Sequence, residues 1–437
     1  MATDFEVLAP GGHARLVEDV LAITDAKADA KDLVALSDIV LGSAMEVDDW
    51  DEVALAANDQ DYFLVGARLS APWSTTGTTK TDYEMPWDIA HTKVNEVYGG
   101  STMPLMYLQT HHCLPDATEF SPKQAFLYAI DGLPAGTYNL TVSATTYGRD
   151  AGTYQFTLTQ ALPAGGQLAG FFDAGAAASV KAYASQVAAS ATETCTVTSG
   201  SAGTNLGTWS SAGVAVPASG TPESHETVTI DGQGYTYYGI NAQSRVSYGN
   251  NRWLHSPLRQ WLNASGDNWW SPATVFDRPP SYVSHKGFLT YLDPGLIAVM
   301  QPVKRTYALN YATDGGTSSA PVYDTCYDKV FLPCWEENYL KVDSSYGGKA
   351  GEEGCGEAWE YWRRAKGTST PPAAGTTNTE YIRTRLDNKT AAGVFLASAS
   401  RNYGNYVACV TSTGTCGYYN AFGACRAAPA CAIGKSE

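Results

Sequence analysis

The sequence predicts an α+β chain of several domains, and three observations carry that expectation. Apolar residues fall near helical spacing in the first forty or so positions, with charged residues between them. Further along, Tyr138, Leu140 and Val142 alternate with polar neighbours, as do Tyr154, Phe156 and Leu158, which is the two-residue period of a half-buried strand. The third observation is a change of alphabet near the C-terminus: from Gly393 to Ile433 there is no Trp, Met, Lys, Glu, Gln, Asp or His. At 437 residues the chain suits two or three domains, and an apolar content of 44% allows sizeable cores. With 27 Tyr, 42 Gly and only 16% charged residues, the composition favours β-rich domains with many turns.

The elements follow in order. Residues 1–58 read as an N-terminal helical segment, with Leu16, Val17, Val20, Leu21, Leu33, Val34, Leu36, Val40 and Leu41 near helical spacing. An acidic patch follows, at Glu46, Asp48, Asp49, Asp51 and Glu52. Such a segment is either an attachment or oligomerisation element or a helix packed on its own domain. Residues 59–165 read as a small antiparallel β domain, with LPAGTY and LPAGGQ as turns. His91, His111 and His112 lie in it without the spacing of a helical His pair, which favours turn or core roles over a metal site. Residues 166–225, rich in Ala, Ser, Thr and Gly, read as a connecting region with some strand, as around Cys195–Thr198. Residues 226–437 form the last domain. Thr227–Ile230 precede a turn at Asp231-Gly232, Ser256 and Pro257 mark a helix start, and Leu258, Trp261 and Leu262 give that helix an apolar face.

Charge and motifs narrow the function. A net charge of −16 argues against nucleic acid or an anionic membrane as partner. The start, MATDFEVLAPGGHARLVEDVL, lacks a basic region followed by an apolar run, and no stretch reaches the roughly 18 apolar residues of a membrane span. The expectation is a chain made in a cytoplasm, with no signal peptide and no membrane insertion. The nine cysteines are odd in number and contain no C-x-x-C, which fits neither a zinc site nor a disulfide framework. The common hydrolase, metalloprotease and nucleotide-binding motifs are absent. The acidic pairs Glu336-Glu337 and Glu352-Glu353 read as solvated turn residues, and Cys326 and Cys334 as buried or idle thiols. No catalytic residue, metal or cofactor is expected.

The restricted alphabet needs a cause. Tyr, Ser, Gly and Asn are the residues of adaptable binding surfaces, Tyr for contact area at low entropy cost and the others for flexible hydrogen bonding. Among the absent residues are those that a codon ending in a pyrimidine cannot encode. Composition alone leaves two readings open: a surface whose codons have been randomised, or an ordinary strand meander rich in small residues.

A set of motifs occurs in order beside it: Asn251-Arg252-Trp253, Ser256, Leu258-Arg259-Gln260-Trp261-Leu262-Asn263, Asp328 to Pro333, Trp359-Glu360-Tyr361-Trp362, Leu396 to Arg401 and Arg426 to Cys431. Over residues 226–437 the chain resembles a C-type lectin-like family of gut bacteria and their phages, many members of which are variable proteins of diversity-generating retroelements. The upstream domain, with Pro86-Trp87-Asp88 and Leu133 to Tyr138, looks like the partner domain of phage members.

The resemblance implies a C-terminal C-type lectin-like domain whose 3′ codons are rewritten at adenines, which would explain the alphabet. Carried over position by position, it implies a variable ligand-binding set of Asn402, Tyr403, Asn405, Tyr406, Cys409, Thr411, Thr415, Tyr418, Tyr419, Asn420, Phe422 and Cys425. Val410, Ser412, Gly414, Ala421 and Arg426 would be fixed. Two departures stand out: Ala427 where members often carry Cys, and Ala397 where they often carry Arg. The implied partner is a host cell-surface protein or glycan, and the implied place is the virion, as a phage tail-fibre adhesin assembled in the host cytoplasm, a homotrimer where it tips a fibre. The same fold also hosts a cysteine-dependent oxidase. An envelope-glycan hydrolase and a non-binding structural decoration of the virion are compatible with it as well.

Overall fold

A hairpin from the first third of the chain and a strand from its last few residues share one sheet. In the computed structural model β2 (Arg68–Trp73), β3 (Tyr83–Glu96) and β4 (Thr102–Thr110) form an antiparallel meander. The strand β23 (Ala430–Ile433) then pairs antiparallel with β4, β17 (Val330–Phe331) pairs with β23, and β1 (Met45–Glu46) runs parallel to β2. The sheet order is β1-β2-β3-β4-β23-β17. The physical reason lies in β4: Leu105, Met106, Tyr107 and Leu108 are all buried, so this strand does not alternate and needs cover on both faces. β23, buried at every position, supplies its neighbour. This corrects the expected domain boundaries, because residues 68–110 build the same sheet and core as residues 248–435 rather than a separate β domain.

The structure describes residues 45–58, 65–73, 83–123, 126–142, 152–171, 179–183, 193–199, 204–209, 215–217, 226–230, 233–237, 248–272, 277–311, 314, 317, 319–341, 344, 351, 354–367 and 369–435. Residues 1–44 of the expected N-terminal helical segment, the turn at Asp231-Gly232 and the pair Glu352-Glu353 lie outside the described residues. Part of the acidic patch has a local role. Asp49 caps α1 (Trp50–Leu55) by accepting from the Asp51 amide at 2.8 Å, and Asp51 and Glu52 occupy its first turn. Trp50 and Ala54 are buried, and α1 packs on α3 (Pro294–Val299), so this helix belongs to the common core.

Between those contributions stands a second sheet of eight strands: β5 (Phe126–Leu133), β6 (Gly136–Val142), β7 (Gly152–Leu158), β8 (Leu162–Phe171), β9 (Ser179–Tyr183), β10 (Glu193–Ser199), β11 (Thr204–Trp209) and β12 (Ala215–Pro217). Its order is β12-β11-β6-β7-β10-β9-β8-β5, with β11 parallel to β6 and the other pairs antiparallel. Both runs that the alternation marked as strands pair antiparallel, with Tyr138 in register with Phe156 and Leu140 with Tyr154. The strand expected around Cys195–Thr198 is β10, and the stretch 166–225 contributes further strands to this sheet. One expectation is corrected. LPAGGQ lies inside β8, where the register shifts opposite Ala129–Asp131, so its two glycines make an irregularity within a strand instead of a turn.

The rest of the last domain is a mixed layer of short elements. β13 (Glu226–Ile230) and β14 (Gln233–Tyr237) form a hairpin. α2 (Pro257–Leu262) starts on Ser256, whose hydroxyl accepts from the Arg259 amide at 3.0 Å, and buries Leu258, Trp261 and Leu262. β15 (Val303–Ala308) pairs with β16 (Tyr323–Asp328), and β18 (Arg383–Thr384) with β19 (Ala391–Ala392). α4 (Glu360–Lys366) closes on left-handed Gly367.

Buried ion pairs tie these elements together. Arg305 on β15 donates from both terminal nitrogens to Glu337 at 2.6 Å, with both side chains almost fully buried. Glu337 is therefore a core ion and not the solvated turn residue expected. Arg252 meets Asp324 in two bonds of 2.6 and 2.7 Å, and Arg259 meets Asp328 at 2.7 Å. On the six-stranded sheet Asp88 gathers Arg68 (2.9 Å), His111 (2.9 Å) and Arg383 (3.4 Å). Burial alone would raise the Asp88 carboxyl, but the His111 hydrogen bond and the charges of His111, Arg383 and Arg68 outweigh it and hold it at about 2. Of the other histidines, His91 lies 3.3 Å from Glu357 and His112 is 2.8 Å from the Thr384 hydroxyl.

Two outcomes follow. Glu337→Ala leaves Arg305 buried without its partner and is expected to cost about 3–5 kcal/mol in urea unfolding. The Asp88 contribution requires the ionised form. It is present above the ordinary value of 3.8 and lost as pH falls through about 2. Urea titrations between pH 5 and pH 2 are expected to show that acid loss, about 2 kcal/mol in size, in the wild type and its absence in Asp88→Asn.

Candidate ligand-binding surface

The restricted segment folds as a three-stranded antiparallel sheet of β20 (Val394–Ala399), β21 (Tyr406–Val410) and β22 (Cys416–Asn420). β20 is buried at every position and β21 at all but Tyr406, so these two strands are covered on both faces, whereas β22 is only partly covered. Phe395 packs edge-on against Phe120 at 5.7 Å, and Tyr418 stacks on the buried Trp335 at 5.3 Å. Pairing jumps from Phe395↔Cys409 to Ala399↔Val407, leaving Leu396, Ala397 and Ser398 in an irregular stretch. That stretch is anchored on another loop. The Ala397 amide donates to the Pro333 carbonyl at 3.0 Å, and the Ser398 hydroxyl accepts from the Trp335 amide at 2.8 Å. Ala397 is itself buried.

The turn from Ser400 to Asn405 is held from beneath. The side-chain amide of Asn251 donates to the carbonyls of Ser400 (3.2 Å), Tyr403 (2.8 Å) and Tyr406 (3.0 Å). Its backbone amide donates to the Gly404 carbonyl at 3.1 Å. The Asn310 amide also reaches the Ser400 carbonyl, at 2.7 Å, and Arg401, fully buried, donates from Nε to the Leu309 carbonyl at 3.0 Å. Asn251 in turn sits beside Arg252, clamped by Asp324, and Trp253, whose ring nitrogen donates to Asp328 at 2.9 Å. The motif residues upstream of the segment are thus the polar scaffold under it.

The twelve candidate residues do not form one patch. At one end of the β21–β22 hairpin, Tyr403 and Tyr419 are exposed by 48% and 49%, with Asn402, Tyr406, Asn420 and Phe422 half-buried beside them. Tyr403 and Tyr406 meet edge to face at 5.4 Å, and Phe422 lies 6.1 Å from the ring of Tyr248 with the Lys123 ammonium 5.0 Å over it. At the other end, about 14 Å away by strand rise, Thr411 and Thr415 join Thr413 and Thr377 in a chain of hydroxyl contacts of 2.9 to 3.2 Å.

Of the remaining four, the buried Asn405 and Cys409 correct the expectation of a displayed residue, and Tyr418 and Cys425 are half-buried. Asn405 is buried and donates its amide to the Asn420 carboxamide oxygen at 2.6 Å, so it supports the surface rather than displaying on it. Cys409 is buried in the central strand opposite Phe395, and burial pushes its thiol far up. Cys425 is half-buried, its thiol pushed up by burial to about 12. Tyr418 has its ring committed to Trp335.

Among the positions expected to stay fixed, Val410 and Ala421 are buried, and Arg426 donates to the Pro115 carbonyl at 3.0 Å. Gly414 has φ of +78°, and a Cβ there would stand 2.0 Å from the Asn378 carbonyl oxygen. Ser412 is exposed. Thr377, Tyr248 and Lys123 were missed because they reach the surface only through tertiary structure. Thr413 was legible as the middle of the Thr411–Thr415 turn.

Residues 233–434, just under half of the chain, match a family described as a domain of unknown function, DUF6273. No curated protein and no solved structure matches the chain.

Gly414→Ala is expected to destabilise by about 2 kcal/mol or more, through the left-handed backbone and the clash with Asn378. Thr413→Ala, at the exposed tip beside it, is expected to stay within about 0.5 kcal/mol. Urea unfolding of both variants checks the contrast.

Proposed function

We propose that this chain is a binding protein whose C-terminal domain, C-type lectin-like, displays a diversified surface to a host-cell protein or glycan. The observation that supports it most is the division of labour around residues 400–406. The turn backbone is held by Asn251, Asn310 and Arg401, while the Tyr403 and Tyr419 rings stand nearly half exposed. A surface that changes its side chains needs a backbone that does not depend on them. Asn251 and Asn310 lie outside the restricted segment, so rewriting that segment leaves them in place.

The display set in this proposal narrows to Asn402, Tyr403, Tyr406, Tyr419, Asn420 and Phe422, with Thr411 and Thr415 as a second, smaller site. Exposed Tyr rings with amide neighbours are suited to varied protein and carbohydrate contacts. Placement on a phage tail fibre, as a trimer, would raise weak single-site affinity by avidity.

The experiment is binding of the labelled full chain to a panel of gut bacterial isolates by flow cytometry. The Tyr403→Ala/Tyr419→Ala double variant is expected to lose about tenfold or more in half-saturation on the isolates that bind, with an unchanged melting curve. Equal binding by the double variant contradicts the assignment of this surface.

A further inference from the structure

One wall of the display end belongs to a cleft of about 270 Å³, lined by Glu119, Pro122, Lys123, Arg278, Pro279, Ser281 and Phe422. Three separate stretches of chain build it, and only Phe422 comes from the restricted segment. Its volume falls just below the roughly 300–1,000 Å³ of pockets for drug-sized ligands, which suits a single sugar ring. The chain carries a net charge of −16, yet two cations and one carboxylate line this cleft. The carboxylate is engaged: Glu119 accepts from the Ser281 amide at 2.6 Å, and its backbone carbonyl accepts from the Tyr282 hydroxyl at 3.0 Å. The Lys123 ammonium sits 5.0 Å over the Phe422 ring, so a cation and an apolar ring face share one side of the cleft.

We propose that this cleft binds a carboxylate-bearing sugar, with Lys123 and Arg278 as a constant anchor for the carboxylate and Phe422 as an adjustable platform for the ring. The inference rests on the binding reading above and deepens it by giving the ligand a chemical class. Lysine and arginine supply charge-assisted hydrogen bonds to a carboxylate, and the phenyl face covers the C–H face of a pyranose. The Ser281 hydroxyl at the same wall can bond a ring hydroxyl. Because Lys123 and Arg278 lie outside the restricted segment, rewriting that segment would alter which acidic sugar fits while keeping the charge requirement.

The test is isothermal titration of the full chain with methyl glucuronoside, N-acetylneuraminic acid, methyl glucoside, acetate and inorganic sulfate, at low and high salt. At least one of the two acidic sugars is expected to bind about tenfold or more tighter than methyl glucoside, and to weaken as salt rises. Lys123→Met and Arg278→Gln are each expected to weaken it about tenfold with unchanged melting curves. Lys123→Arg is expected to retain most of the affinity, which a merely structural role of the lysine would not single out. Failure of both acidic sugars to bind, or equal binding of methyl glucoside, overturns the proposal. Acetate or sulfate binding as tightly as the acidic sugar reduces the cleft to a general anion site and also overturns it. The two readings fail separately. Sugar binding without cell binding sinks only the display surface, and Tyr403/Tyr419-dependent cell binding without sugar binding sinks only this cleft.

Discussion

The side-chain amide of Asn251 is the contact on which the candidate surface depends. One nitrogen reaches three backbone carbonyls of the turn between β20 and β21, and no side chain of that turn is needed for the bonds. A turn of Asn, Tyr and Gly has little apolar area of its own to bury, and its ordering cost must be met from outside. Asn251 meets it, and is itself held because Arg252 and Trp253 beside it are fixed on Asp324 and Asp328. Arg259 from α2 reaches the same Asp328, so the helix, β16 and the turn form one connected polar network. Removing a member of such a network leaves buried groups unpaired, which costs more than any one bond contributes.

The second constraint is the six-stranded sheet. β4 is apolar on both faces and has to be covered twice, and its partner β23 is the last strand of the described chain. Strand β23 is the last part of the restricted segment, so the segment is tethered at its exit by the six-stranded sheet, and β19 directly precedes its entry. Asp88, buried on β3, links that sheet through Arg383 to β18. The eight-stranded sheet of residues 126–217 is thus an insertion between strands of a single core, and just before it the Phe120 and Ser121 amides donate to the Ala421 carbonyl, which places Lys123 beside the display end.

What was legible in the sequence is what depends on local pattern. The Ser256 cap, the apolar face of α2 and the facing strands β6 and β7 follow from spacing and side-chain chemistry within a few residues. The motif run from Asn251 to Asn263 marked the scaffold of the site without showing what it holds. What escaped depends on long-range pairing. Nothing local in Arg68–Thr110 shows that its partner is Ala430–Ile433. Glu337 reads as half of a turn-type acidic pair until Arg305, far along the chain, is placed against it. Asn405 and Cys409 share the alphabet of the display residues, but Asn405 is turned inward onto Asn420 just before β21, and the cover on both faces of β21 puts Cys409 inside. Phe422 was legible as a site residue, whereas its cleft was not, because Lys123 and Arg278 come from elsewhere in the sequence.

Deep sequencing of this gene across a natural population, read at codons 393 to 433, tests the central claim most directly. The account predicts substitutions concentrated at Asn402, Tyr403, Tyr406, Tyr419, Asn420 and Phe422 and, more sparsely, at Thr411 and Thr415, with Asn405, Cys409, Val410, Gly414 and Ala421 unchanged. Variation spread evenly through the segment, or concentrated at those buried positions, would contradict a display surface built on a scaffold that its own side chains do not support.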